Sequence, residues 1–219
     1  MKLKKRAIPM LAGVLTAVML TSTASAHPGD YYAGKYIGKN GAEILLRIEP
    51  SAQTSLLDWA GVYQYGYDWN NISSNVEVSL VYASANTPTI YGAMSVCGYN
   101  PTDDRDLGGT LAYDSNGNLT GDFTVNWSKV TIYMNTSREA YFNEHCRSPQ
   151  EAAKKTFLHE VGHALKLSHP FISNGLGGHT NNGRPAAVMN QGYPGLYNNA
   201  VSPTITAHDI SCLKAKWGA

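Results

Sequence analysis

The sequence predicts an α+β domain, with strands in its first half and helices in its second. Three observations carry this. Between residues 43 and 135, short segments alternate apolar and polar side chains, with turn residues between them. From Ser148 the spacing becomes helical over one long segment. After Ser173 the chain is rich in Gly, Asn and Pro until a last helical stretch near Thr206.

The strands are expected at Glu43 to Glu49, Val76 to Ala83, Thr89 to Cys97, Thr110 to Tyr113, Leu119 to Asn126 and Lys129 to Asn135, several joined as hairpins. Ser55 to Ile72 is expected to be helical in part. Asp114-Ser115-Asn116-Gly117-Asn118 has the residues of a calcium loop. Its glycine is misplaced for an EF-hand and no bidentate Glu follows, so a hairpin turn is the better account. Asp103, Asp104 and Asp106 read as solvated loop carboxylates, with bound calcium as the lesser alternative.

Ser148-Pro149-Gln150-Glu151 combines a Ser N-cap, Pro at the first helical position and Glu closing a capping box. The helix runs to about Leu165, with Leu158, Val161, Gly162 and Leu165 on its buried face, and Pro170 bounds it. Thr206 and Asp209 form a second capping box, opening a helix that ends by Trp217-Gly218.

Composition bounds the function. The chain has 219 residues, 43% hydrophobic and 15% charged, enough for one core and too short for two ordinary domains. The aromatic content excludes a disordered chain, and a net charge of +1 with no basic stripe gives no reason to expect nucleic acid. Lys2, Lys4, Lys5 and Arg6, then Ala7 to Leu20, then Ala24-Ser25-Ala26 have the order of a secretory signal peptide over residues 1–26. The apolar run is too short to span a bilayer, so the expectation is a secreted, extracellular monomer starting at His27, with no membrane segment. Without the four leader cations, 13 basic and 16 acidic residues leave a charge of −3. Residues 27–50 read either as the opening of the domain or as a short N-terminal extension or pro-segment.

His159-Glu160-Val161-Gly162-His163 lies on the long helix. At about 100° per residue the two imidazoles point about 40° apart, one turn displaced, and can reach one metal ion. They project away from the apolar stripe, and Glu160 is near enough to serve a water there without being a ligand. Chance alone gives this motif in roughly 1 chain in 140 of this composition, and roughly 1 in 4,000 with His169 ten residues on. A structural zinc site wants four protein ligands, usually with Cys, and no Cys-x-x-Cys is present. No Glu follows Glu160, which leaves His169, His179, His208 and Asp209 as third ligands.

His159-Glu160-Val161-Gly162-His163-Ala164-Leu165-Lys166-Leu167-Ser168-His169 resembles the zinc-binding consensus of the metzincin metallopeptidases. Ala187-Val188-Met189-Asn190 resembles their Met-turn, Thr206 to Gly218 the C-terminal helix of matrixin-like members, and Lys129 to Asn135 the strand before their active-site helix. In size the chain is similar to the small secreted bacterial metzincins. The resemblance implies a twisted mixed sheet with an active-site helix, then an irregular C-terminal subdomain with Met-turn and closing helix. It implies one catalytic Zn2+ on His159, His163 and His169. It implies that Glu160 is the catalytic base of an endopeptidase acting on protein or peptide substrates. It also implies a Cys146–Cys212 disulfide, with Cys97 left over. Tyr193 follows Met189 by four residues, whereas some relatives have a zinc-associated Tyr two residues on, so it is read first as packing. The runner-up from another class is a secreted binding module with a vestigial or structural zinc.

One departure has a geometric consequence. A helix continued through Lys166 would put His169 about 15 Å along the axis from His159, beyond any shared ion. The chain must leave the helix between His163 and His169. The family has Gly at 166, so Lys166 is expected at positive φ, with its side chain in solvent.

Overall fold

The computed structural model describes residues 31–53, 57–84, 93–99, 107–136, 148–170, 187–190 and 204–219. Six strands form one sheet: β1 (Ala42–Ile48), β2 (Val76–Tyr82), β3 (Ala93–Tyr99), β4 (Gly108–Tyr113), β5 (Leu119–Thr120) and β6 (Lys129–Asn135). Their spatial order is β2-β1-β3-β6-β4-β5. The β1/β2, β1/β3 and β3/β6 pairs are parallel; β4 is antiparallel to both β6 and β5.

Among the described residues the expected hairpins therefore reduce to one, β4–β5. Alternation encodes which face is buried and says nothing of the partner's direction. Parallel strands usually read as continuous apolar runs because both faces are covered. Here β1 alternates buried Ala42, Ile44, Leu46 and Ile48 with more exposed residues, so it has the pattern of an antiparallel strand. The hairpin turn itself is as expected. Asp114 Oδ1 accepts from the Asn116 and Asn118 amides at 2.8 and 2.9 Å, and Gly117 takes φ 77°.

β5 is far shorter than Leu119 to Asn126. Asp122 Oδ1 accepts from the Thr124 amide and hydroxyl at 2.9 and 2.6 Å, and this Asx turn takes the chain off the sheet. Between β1 and β2 lie a 3-10 turn (Pro50–Ala52), a short helix α1 (Trp59–Gln64) and a 3-10 segment (Tyr65–Trp69), matching the partial helix expected there.

The long helix, α2 (Pro149–Ala164), crosses the buried face of the sheet. Ala153, Phe157, Leu158, Val161 and Ala164 join the core made by Ile44, Leu46, Val96, Ile132 and Met134. Its expected capping box does not form. Ser148 makes no side-chain cap bond, and Glu151 pairs instead with Lys154 at 2.9 Å. The closing helix α3 (Ala207–Trp217) does carry its capping box of Thr206 and Asp209. Trp217 Nε1 donates to Leu165 O at 2.8 Å, pinning the end of α2 where the histidines lie. Among the described residues no helix is long and apolar enough to cross a membrane.

Candidate metal centre

His159 and His163 come from the last turns of α2, and His169 from the irregular chain that follows. Their Nε2 atoms converge: His159 to His169 is 3.0 Å and His163 to His169 is 3.0 Å. Three nitrogens on a tetrahedral zinc, each at 2.0–2.1 Å, sit about 3.3 Å apart, so the set needs only a slight opening to hold one ion. Among the described residues this is the one group of three or more His, Cys, Asp or Glu side chains close enough for that.

The other ring nitrogens decide the tautomers. His159 Nδ1 lies 3.0 Å from Val188 O and His163 Nδ1 lies 2.9 Å from Leu167 O. A carbonyl only accepts, so both Nδ1 atoms carry the proton and both Nε2 atoms present lone pairs. Burial pushes the His163 pKa down to about 4. It pushes His159 well below its ordinary value, helped by the charges of His163, Lys155 and His169. Neutral imidazoles with aligned lone pairs are what a divalent zinc-type cation binds, and the residues present fit that group.

Glu160 is 6% exposed, on the β4 side of the helix. Thr110 Oγ1 lies 2.9 Å from both the Glu160 carbonyl oxygen and its Oε2, so one hydroxyl ties backbone and carboxylate to β4. Tyr32 stands beside His163. Its ring is 6.4 Å from that of His163 and nearly parallel to it, and it stacks on Phe123 at 4.9 Å. Burial, then the Glu160 charge, raises the Tyr32 phenol above its usual pKa. Neither Thr110 nor Tyr32 belongs to a motif; only the strand register and the N-terminal bridge Tyr31–Leu167 bring them here.

Beneath the histidines, residues 187–190 form a turn closed by Asn190 N–H to Ala187 O at 3.2 Å. Met189 packs against Gly162 so tightly that an added Cβ there would lie 2.2 Å from the Met189 sulfur. Asp209 holds this turn. Its carboxylate accepts from the amides of Val188 at 2.9 Å, Met189 at 3.3 Å and Thr206 at 2.9 Å. Buried Lys155 adds a bond to Asn190 O at 3.1 Å, and burial lowers its pKa to about 8. Asp209 is thus a structural anchor and not a third ligand. His208 faces Cys212, Nε2 to Sγ 3.5 Å, away from the cluster. His179, Tyr193 and Cys146 lie outside the described residues, as do residues 1–30 and Asp103 to Asp106. Cys212 is buried and makes no disulfide, so the Cys146–Cys212 bridge implied by the resemblance is not formed. Cys97 is partly buried and makes no disulfide.

Lys166 has φ 70°, as expected, and the chain leaves the helix there. Its side chain does the reverse of what was expected. It is fully buried, with Nζ 3.4 Å from the centre of the Trp127 ring and donating to Val125 O at 2.8 Å and Phe123 O at 3.3 Å. An aromatic face and two carbonyls replace water around the ammonium, so burial is affordable. Burial, then Lys216, holds its pKa down to about 7.

No protein-family model matches the chain, and no curated protein matches it. Among solved structures it is similar to archaemetzincin from Methanopyrus kandleri. The identity is 13% and the TM-score 0.46, over 80% of this chain and 96% of that one.

Proposed function

We propose that the protein is a secreted zinc endopeptidase of the metzincin type. The observation that carries the reading is the convergence of three imidazole Nε2 atoms beside a carboxylate that is not one of them. His159, His163 and His169 would hold the zinc. Bound there, the ion supplies a Lewis acid that polarises a carbonyl and lowers the pKa of water.

The chain's own groups supply the rest. Glu160, set by Thr110, takes the proton of the attacking water and delivers it to the leaving amine. Val188 O and Leu167 O keep His159 and His163 in the ligating tautomer. β4 is paired with β5 only at Ala112 and Tyr113, so among the described residues Gly108 to Leu111 keep an open backbone edge on that side. An extended peptide added to that edge runs past the Thr110–Glu160 pair, which favours protein or peptide substrates. Secretion rests on the leader-like residues 1–26.

The test uses the secreted chain, its zinc content and casein clearance with and without a chelator. Glu160→Gln is expected to retain about one zinc per chain while hydrolysis falls to background. Hydrolysis at the parent rate would sink the assignment. A parent chain that holds zinc and cleaves nothing would favour the binding module instead.

A further inference from the structure

The turn at position 166 does not need a side chain. Its own backbone closes it: Lys166 N–H donates to His163 O and Leu167 N–H to Gly162 O, each at 2.9 Å. Glycine adopts positive φ without penalty, and any residue with a Cβ does so against a clash. What lysine adds is a tether at its far end.

The tether reaches a segment far away in sequence. The carbonyls of Phe123 and Val125, which accept from Lys166 Nζ, follow the Asp122 turn that pulls the chain off the sheet. The ring of Trp127, itself fully buried, forms the floor. On the backbone side Lys166 O accepts from Tyr32 N–H at 2.8 Å. Lys216 Nζ then gathers the carbonyls of Tyr32, Ala33 and Gly34 at 2.6, 2.9 and 2.6 Å. Lys166 therefore joins residues 123–127 to residues 31–34 at the point where the chain turns from His163 toward His169.

His169 belongs to no helix or strand. Its approach to the other imidazoles is set by the path of residues 165–168, and Leu167 O in that path also orients His163. We propose that Lys166 is a positioning residue for the three-histidine centre: its buried tether to Phe123, Val125 and Trp127 fixes the left-handed turn that carries His169 onto His159 and His163. The inference rests on the metal-site reading above. Ammonium and neutral amine both keep two N–H donors, so the two carbonyl bonds persist across neutral pH.

Substitution by glycine separates this from a lysine that is merely tolerated. Removing a Cβ at φ 70° relieves strain, so a passenger side chain predicts a K166G chain that binds zinc as tightly as the parent or more tightly. The tether predicts the opposite. Zinc dissociation constants come from competition with a chromophoric chelator, on chains whose near-ultraviolet circular dichroism matches the parent. K166G is expected to bind at least tenfold more weakly, and the visible band of the cobalt-substituted centre to lose intensity. Lys166→Met, which keeps the stem without the donors, and Trp127→Leu, which removes the floor from outside the turn, are expected to weaken binding too; either serves if K166G does not fold. Parent affinity and parent cobalt spectra in the folded variants overturn the inference alone. A parent chain that binds no zinc overturns the metal-site reading and this inference with it.

Discussion

Replacing Asp209 with alanine removes a side chain that joins the turn at 187–190 to the start of α3. Asp209 is 1% exposed and accepts from three amides and from the Thr206 hydroxyl, the last at 2.8 Å. In the alanine variant the Val188 and Met189 amides, both in buried residues, lose their partner. Each orphaned donor costs about 1–3 kcal/mol, and the lost cap about 1 kcal/mol more. We expect a loss of about 4 kcal/mol, which in a domain of this size lowers the thermal midpoint by roughly 10 °C. The same turn presents Val188 O to His159 Nδ1, so zinc affinity should fall by about 10–100-fold, as for other outer-shell partners of metal ligands. Calorimetry of the chelator-treated chain reads the first effect, and zinc competition at a temperature where the variant is folded reads the second. Asn is a poor rescue, because its amide nitrogen must face one of the donors. A midpoint within about 3 °C of the parent, with unchanged zinc affinity, would refute the reasoning.

Two further outcomes are expected. Gly162→Ala would ordinarily strengthen a helix by up to about 1 kcal/mol, yet its Cβ would meet the Met189 sulfur at 2.2 Å and the Trp69 ring at 3.1 Å. Overpacking should win, with a net loss of about 1–3 kcal/mol in urea denaturation; a gain would mean that Met189 swings aside freely. For pH, the folded-state pKa of His163 is depressed from 6.5 to about 4, so the folded chain resists a proton that the unfolded chain accepts. Stability of the zinc-free chain is therefore fully present above about pH 6.5 and is lost as pH falls toward about 4. Urea midpoints that stay flat between about pH 6.5 and 4.5 in the presence of a chelator would contradict this.

How legible these features were in the sequence depended on the range of the interaction behind each. The period of α2, its limits and the capping box of α3 come from contacts within one turn or two, and they are where the sequence puts them. So is the His159/His163 pair, since helix geometry alone brings the two rings together. Apart from β5, the strand segments were legible while their pairing was not, because β1 next to β2 and β3 is a matter of crossovers through residues that bear no mark of it. Thr110 illustrates the limit at the site. A threonine in a strand is ordinary, and only the register Thr110↔Ile132 and the crossing of α2 place its hydroxyl on Glu160.

Lys166 divides the two kinds of information within one residue. That the chain turns between His163 and His169 followed from arithmetic on the sequence, a helix rise of 1.5 Å per residue against a zinc–nitrogen bond near 2 Å; the positive φ at 166 was expected only from the glycine that the resemblance puts there. The destination of its side chain did not follow, because a lysine on a turn is by default solvated. Three things had to be known together to reverse that default. They are the Asx turn at Asp122 that bares two carbonyls, the Trp127 ring beneath them, and the N-terminal residues that close the other side. These groups lie 39 to 44 residues before Lys166, or some 130 before it in the case of residues 31–34, and each is unremarkable alone. Buried together they turn a left-handed residue that carries a Cβ into a bond between the turn leading to His169 and the rest of the fold.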